Sequence, residues 1–169
     1  MNSKQIVAVI GICALLAIVV YPALSTGNVS IVIRSSRAEK TDHIYLTISN
    51  VRAHRVGQIS SQGWDLISNQ SQTIDLMSLT DSSTTLAKGQ LPVAKYDMVT
   101  VDLSNVTWVY NKTSTRLQVD SSGTPAKVEF AVLAGKESAI TLVLTGRPED
   151  LQGAKFFRPQ LNAAATLPS

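Results

Sequence analysis

The sequence is poor in cysteine, in charge and in aromatic side chains, and each shortage excludes a class of protein. One cysteine in 169 residues, Cys13, cannot form an internal disulfide framework, so the chain must be stabilised by a hydrophobic core. Charged residues make up 16% of the chain, which argues against a disordered segment, a coiled coil or a nucleic-acid-binding arm. Aromatic residues make up 5%, and the abundant serine and threonine among valine, isoleucine and leucine favour short strands.

The longest apolar run lies at the N terminus and predicts export. Residues 6–20 are apolar or glycine, Lys4 precedes them, and a helix breaker with small residues follows. This layout predicts that residues 1–25 are a secretory signal peptide. The alternative is an uncleaved membrane anchor through residues 6–24, close to the roughly 20 residues that cross a bilayer. On either interpretation Lys4 stays inside, and the rest of the chain is secreted or faces outward from the cell membrane.

Beyond residue 27 apolar and polar residues alternate, which is the pattern of β-strands. No window sustains the i, i+3, i+4, i+7 spacing of an amphipathic helix. The strongest alternating segments are Val29–Ile33, Ile44–Ala53, Val99–Tyr110, Val128–Val132 and Ile140–Leu144. Because turn residues separate them, the sequence predicts an antiparallel β-sandwich of about seven to nine strands over residues 26–161. An N-terminal hydrophobic helix precedes it, and residues 162–169 are predicted to be a flexible tail.

Two of these strands share a break in their alternation. The segments Ile48–Val51 and Leu103–Val106 both read apolar-Ser-Asn-Val, and the alternation changes phase at each. One inserted residue in a period of two is typical of a β-bulge, which lets a bent strand keep its apolar face on the core. The two strands could lie side by side or cross both sheets of a sandwich.

Two irregular segments are predicted between the strands. Residues Met77–Asp81 follow Asp75-Leu76 and are predicted to form one helical turn. Gly146-Arg147-Pro148 reads as a turn that opens the longest loop, over residues 146–154.

The alternation also predicts the core. Trp64 and Trp108 are expected to pack into it, with stacking on a ligand as the alternative. The inward-facing residues are expected to be Val101, Leu103, Val106, Trp108, Phe130, Val132, Ile140 and Leu142.

No catalytic, cofactor-binding or metal site is predicted, and no enzyme activity is expected. His43 and His54 lie about 35 Å apart if their strand is extended. They cannot share a metal unless the strand folds back at its bulge, and each is expected at the surface or rim. The sequence contains no metalloprotease, nucleophile-elbow or phosphate-loop motif. The carboxylates are scattered singly and are expected on solvated faces, with a pair that meets in space as catalytic groups or a calcium site as the alternative. They are Asp65, Asp75, Asp97, Asp102, Asp120, Glu129 and Glu137.

Basic residues are modestly clustered early in the exported part. A nucleic-acid partner would require a denser stripe with interleaved aromatic residues, so none is expected, and no small-molecule substrate is indicated. The cluster is expected to be a solvated face, or alternatively a face towards anionic lipid or glycan. Its members are Arg34, Arg37, Lys40, Arg52 and Arg55.

Four N-glycosylation sequons fit an exported chain. They lie at Asn28, Asn69, Asn105 and Asn111, and such sites mark surface positions of secreted proteins. Strands rich in serine and threonine can also generate sequons by chance, so both interpretations remain open.

Several segments, taken in order, resemble one family. They are Ile44–His54, Gly63–Leu66, Thr73–Leu79, Leu91–Tyr96, the hairpin Val128–Leu144, and Phe157–Pro159. Over residues 29–161 the chain resembles the DUF4382 family of exported bacterial and archaeal domains. Ala94 stands where that family usually has glycine, and the lipoprotein cysteine of some members is absent. The resemblance implies an exported β-domain and supplies no catalytic residues.

Two functions follow from these observations. The first is a structural or binding module of the cell envelope or surface. The second is a subunit of an extracellular filament, assembled through the hydrophobic N-terminal helix as in a pilin, or by donation of the strand at residues 28–34 to a neighbour. Against the pilin route, Lys4-Gln5 does not provide the small residue that precedes a prepilin cut.

Overall fold

The computed structural model describes residues 25–36, 42–119, 124–151 and 154–166. The hydrophobic helix predicted within residues 1–25 lies outside these residues, apart from Ser25. Across the described ranges no helix has the length and apolar character that a membrane crossing requires.

The described chain is all-β, as predicted, with ten strands and one 3₁₀ turn. The turn, Met77–Leu79, lies where a helical turn is predicted. The strands are β1 Thr26–Ser35, β2 His43–Arg55, β3 Trp64–Ser68, β4 Gln72–Asp75, β5 Thr84–Pro92, β6 Ala94–Tyr110, β7 Thr113–Val119, β8 Thr124–Val132, β9 Glu137–Leu151 and β10 Ala154–Ala165.

All ten strands are linked into one sheet instead of the two separate sheets of the predicted sandwich. The hydrogen-bonded order is β3-β2-β6-β7-β10-β9-β1-β5, with β4 on β2 and β8 on β6. Parallel pairs at β1–β9 and β7–β10 correct the prediction of a purely antiparallel arrangement. The two edge strands approach each other, since a Cβ placed on Gly89 of β5 would overlap the carbonyl oxygen of Ile67 in β3. The sheet is therefore nearly closed and barrel-like.

Both predicted bulges are present, and they lie in neighbouring strands. Asn50 and Asn105 have positive φ angles of 47° and 48°, a left-handed conformation that asparagine tolerates better than most residues. The register between β2 and β6 shifts at both points. Of the two arrangements left open by the sequence, the strands lie side by side.

The core lies inside this curled sheet. The inward-facing residues predicted in β6, β8 and β9 are buried, except that Trp108 is partly buried and packs against the core. Trp64 is half-buried on another part of the sheet. Tyr96, fully buried at the start of β6, stacks on Phe130 with ring centroids 5.1 Å apart.

The C-terminal part corrects two predictions. Strand β9 continues through Gly146 to Leu151, so the predicted turn and long loop are strand and hairpin. Gly146 is needed there for close approach, because a Cβ on it would lie 2.5 Å from Cε2 of the buried Phe157 ring. The predicted tail is also partly wrong, since residues 162–165 pair with residues 140–143 in β10 and β9.

Candidate functional site

The loop between β2 and β3, residues 56–63, is held by backbone hydrogen bonds at both ends and within the loop. The Arg55 N–H donates to the Gly63 carbonyl at 2.9 Å, and the Val56 N–H donates to the Lys95 carbonyl at 3.0 Å. Within the loop the Gln62 N–H donates to the Ile59 carbonyl at 2.8 Å. Positive φ angles at both glycines, Gly57 and Gly63, provide the sharp changes of direction. These hydrogen bonds and glycine conformations define the path of the loop.

His54 supports the loop from beneath. Its exposure is only 2%, which corrects the prediction of a surface or rim histidine. Nδ1 lies 2.8 Å from Asp97 Oδ1, and Nε2 lies 3.2 Å from the Ile59 carbonyl oxygen. The Trp64 ring lies 5.0 Å from the imidazole, and its Nε1–H donates to the Ser60 carbonyl. Loop, β2, β3 and β6 are thus joined at one histidine.

A second polar cluster lies beside it. The Arg55 guanidinium donates twice to the Asp65 carboxylate, in β3. The Tyr96 hydroxyl donates towards the same carboxylate at 2.9 Å and lies 3.1 Å from the Pro92 carbonyl oxygen. Burial raises the pKa of the Tyr96 phenol, and the bond to Asp65 adds to the rise. These bonds hold β2, β3 and β6 in fixed positions where the loop begins and ends.

Both nitrogens of His54 face acceptors, which favours the imidazolium. Only the doubly protonated ring can donate to Asp97 and to the Ile59 carbonyl together. The hydrogen bond to Asp97 accordingly raises the pKa of His54, although burial opposes the rise. Other charged groups of the surrounding strands are Asp65, which is bound to Arg55, and Lys127 and Glu129 of β8, which line an open groove with Asp97.

This geometry predicts that the chain is more stable in mild acid. Below the unfolded-state pKa of about 6.5 the stabilisation from protonated His54 is fully present, and it is lost as pH rises through the raised folded-state pKa. The free energy of unfolding, measured with urea at several pH values, should fall over that window.

The second histidine provides the matched control for this prediction. His43 also pairs with an aspartate, Asp75, at 2.7 Å, but its side chain is 48% exposed. His54→Gln should abolish the fall in stability, whereas His43→Gln should leave it in place. A fall of equal size in His54→Gln would contradict the assignment.

Above this support the loop exposes apolar side chains. Val56 is 50% exposed and Ile59 is 62% exposed. Leu133, after β8, is 46% exposed and lies at the same end of the sheet, since Ala94 of β6 pairs with Val132. Apolar side chains on a backbone that is already held by hydrogen bonds lose less conformational freedom when a partner covers them, which suits them to binding.

A protein-family model matches most of the described domain. The model described as "Domain of unknown function (DUF4382)" matches residues 26–145. The chain belongs to the DUF4382 family. The match runs from β1 into β9 and contains the β2–β3 loop with all its supporting side chains.

Other comparisons with the DUF4382 chain give distant similarity only. No curated protein matches it. Among solved structures it is similar to a "putative cell adhesion protein" from Bacteroides ovatus, with 6% identity and a TM-score of 0.24. The similarity covers 81% of this chain and 44% of that one, so the DUF4382 chain spans less than half its length.

The structure separates the two histidines of the DUF4382 domain, as expected. His43 and His54 lie near opposite ends of β2, each with its own aspartate. Within the described ranges no group of three or more histidine, cysteine, aspartate or glutamate residues is placed to hold a metal.

The members of the predicted basic cluster do not form one cationic face, because two of them are paired with aspartates. Arg52 is bound to Asp102 at 2.7 Å, and Arg55 is bound to Asp65. Arg34 is exposed on β1, while Arg37 and Lys40 lie outside the described residues. Two of the five cations therefore fasten neighbouring strands together.

All four sequon asparagines are exposed. Asn69 lies between β3 and β4, and Asn111 has a positive φ of 49° in the β6–β7 turn, so an oligosaccharyltransferase can approach both. Asn28 lies in β1, and Asn105 accepts a hydrogen bond from Arg116 at 3.0 Å within β6.

In a host with the transferase we expect Asn69 and Asn111 to be glycosylated first and Asn105 less. Peptide mapping by mass spectrometry of the native protein measures each occupancy. Four unmodified asparagines would remove this argument for a glycosylated exterior. Preferential modification of Asn105 would show that strand position does not limit the enzyme.

The sequence analysis does not predict the site at the β2–β3 loop. A usable signal exists, because a hairpin around Gly57 and Gly63 would place His54 opposite Trp64, as the register of β2 and β3 does. The partners on β6, Asp97 and Tyr96, carry no local signal.

Proposed function

We propose that this DUF4382 chain is an exported, non-enzymatic module of the cell envelope, built on a nearly closed, barrel-like β-domain, that binds another envelope component through its β2–β3 loop. The observation that carries the proposal is the exposure of Val56 and Ile59 on a loop held by His54, Arg55 and Trp64. The apolar run over residues 6–20, before β1, supports export.

The ionisable groups near the loop are paired with one another, which supports a structural role for them and the non-enzymatic part of the proposal. His54 is engaged by Asp97, and Arg55 is engaged by Asp65, in each case across neighbouring strands. Such pairs fix the loop in place, and the apolar side chains above them remain available for contact.

The test is photocrosslinking in intact cells of the native host. A photoreactive residue replaces Ile59 in the full-length protein, and in the control it replaces Tyr110, which is 44% exposed at the opposite end of β6. We expect adducts to envelope components from position 59 and few from position 110. Equal or absent adducts at position 59 would sink the proposal.

The mature N terminus decides the mode of export. Mass spectrometry of the native protein should give a start at Thr26 if the chain is secreted and at Met1 if it is anchored. A start near Gln5 or Ile6 would instead indicate processing as a pilin.

The filament alternative through strand donation requires β1 to leave its own sheet, and the structure of β1 favours the module that keeps it there. Strand β1 lies between β5 and β9 and is paired with both along its length, and Val29, Ile31 and Ile33 are buried. Withdrawal of β1 would open a groove between two strand edges, which is the geometry that strand donation requires.

Strand donation can be tested with shortened chains. A chain beginning at Ser35 that folds and binds a synthetic peptide of residues 28–34 would support it. A chain from Thr26 that stays a folded monomer at high concentration would count against it, without bearing on the pilin route.

A further inference from the structure

Four segments of the chain meet at the end of the sheet where β1 begins. The Val93 N–H donates to the Ser25 carbonyl at 3.0 Å, and the Gly135 N–H donates to the Thr26 carbonyl at 3.3 Å. A Cβ on Gly27 would lie 2.8 Å from Val132 Cγ1, so β1 starts in tight contact with the end of β8. Together with the β2–β3 loop, bonded to β6 through Val56, these segments form what we name the Ser25 end.

The exposed apolar side chains are concentrated at this end. Six large hydrophobic residues of the described chain are exposed, and three of them, Val56, Ile59 and Leu133, lie here. Val56 lies beside β6 and Leu133 follows β8 on the other side of β6, a lateral separation of about 10 Å at the usual strand spacing.

The charge at the Ser25 end is suited to an anionic surface. Lys95 and Lys136 are exposed here, and neither forms an ion pair with a described residue. The nearby aspartates, Asp65 and Asp97, are already engaged by Arg55 and His54. The exposed carboxylates that remain are Glu137, beside Lys136, and Glu129 of β8, which lines a groove with the exposed Lys127.

The preceding sequence determines what this end can face. The apolar run ends at Val20, five residues before Ser25. Five residues span at most about 18 Å even when fully extended. If residues 6–24 remain in the membrane, Ser25 and the side chains around it are held next to the lipid headgroups.

We infer that, in the chain that keeps residues 6–24 as its anchor, the Ser25 end docks on an anionic lipid surface, with Val56, Ile59 and Leu133 among the headgroups and Lys95 and Lys136 towards the phosphates. The inference rests on the proposed binding role of this end and names the membrane as its partner. Each basic residue near an anionic bilayer raises the equilibrium constant for docking about fivefold.

The two tryptophans provide built-in probes. Trp64 opens β3 at the Ser25 end, whereas Trp108 pairs with Ile44 near the opposite end of β2. The full-length protein, carrying Trp108→Phe or Trp64→Phe, is reconstituted into vesicles whose lipid chains are brominated and quench nearby tryptophan. The vesicles contain phosphatidylcholine with or without phosphatidylglycerol.

We expect quenching of Trp64 that exceeds quenching of Trp108, depends on phosphatidylglycerol and weakens in high salt. Val56→Asp with Ile59→Asp should abolish the excess, and Lys95→Gln should lower the docking equilibrium constant about fivefold. The control Tyr110→Asp should leave the excess unchanged. No excess quenching of Trp64, or an excess indifferent to phosphatidylglycerol, would overturn the inference.

These results are separable from those of the proposed function. Crosslinks from position 59 to an envelope protein or glycan in cells, without excess Trp64 quenching in vesicles, would retain the binding role and remove the lipid partner. Excess Trp64 quenching in vesicles without any crosslink from position 59 in cells would retain the lipid partner and remove the binding of another envelope component.

Discussion

Replacing Phe130 with alanine should lower the free energy of unfolding by about 3–5 kcal/mol, the usual loss when a buried aromatic side chain is removed. Phe130 is 8% exposed and lies opposite Tyr96 across the β6–β8 pair. The rings stack at 5.1 Å with an angle of 16° between their planes, and such a pair adds stabilisation beyond the buried area.

Urea unfolding of the full-length protein measures this loss. The control is Leu133→Ala, three residues along the chain, where the side chain is 46% exposed and truncation should change stability by less than about 0.5 kcal/mol. A loss at Phe130 below about 1 kcal/mol would mean that the ring does not fill the core as described, since emptying a packed site has a much larger effect.

Local patterns predicted the parts of the fold that depend on local chemistry. Alternation placed Val29, Ile31 and Ile33 on the buried face of β1, because side chains on a strand alternate whatever the partner is. The Ser-Asn pair located both bulges, since asparagine adopts positive φ at Asn50 and Asn105 for reasons internal to that residue.

The rest depends on contacts between distant residues. The sequence predicts His54 at the rim because a lone histidine in a strand is usually exposed, but its burial depends on Asp97, 43 residues away. Asp65 is joined to Tyr96, 31 residues away. The parallel pairing of β1 with β9 likewise cannot be predicted from the alternation of apolar and polar residues. That alternation indicates which residues face inward but not which strand lies beside them.

The predicted turn at Gly146 is wrong for the same reason. A Gly-Arg-Pro sequence usually indicates a turn, but β9 passes straight through it. The glycine is there because the ring of Phe157, from β10, covers its Cα. This packing of an aromatic ring over a strand glycine is a known way to stabilise a sheet.

The Gly146–Phe157 contact leads to a prediction with a large and directional effect. Phe157 is fully buried, so Phe157→Ala should cost about 3–5 kcal/mol by leaving a cavity. Gly146→Ala should cost about 1–3 kcal/mol for the opposite reason, because the added methyl group forces the ring out of its packed position.

The double variant distinguishes this contact from two independent losses. With the Phe157 ring removed, the methyl group of Gly146→Ala has room, so adding it to Phe157→Ala should cost little or recover part of the loss. The coupling free energy from a double-mutant cycle should then be about 1–3 kcal/mol, whereas sites that do not touch add within roughly 0.5 kcal/mol. Simple additivity in urea unfolding would show that the ring does not cover Gly146, and the reason given for a glycine within β9 would be lost.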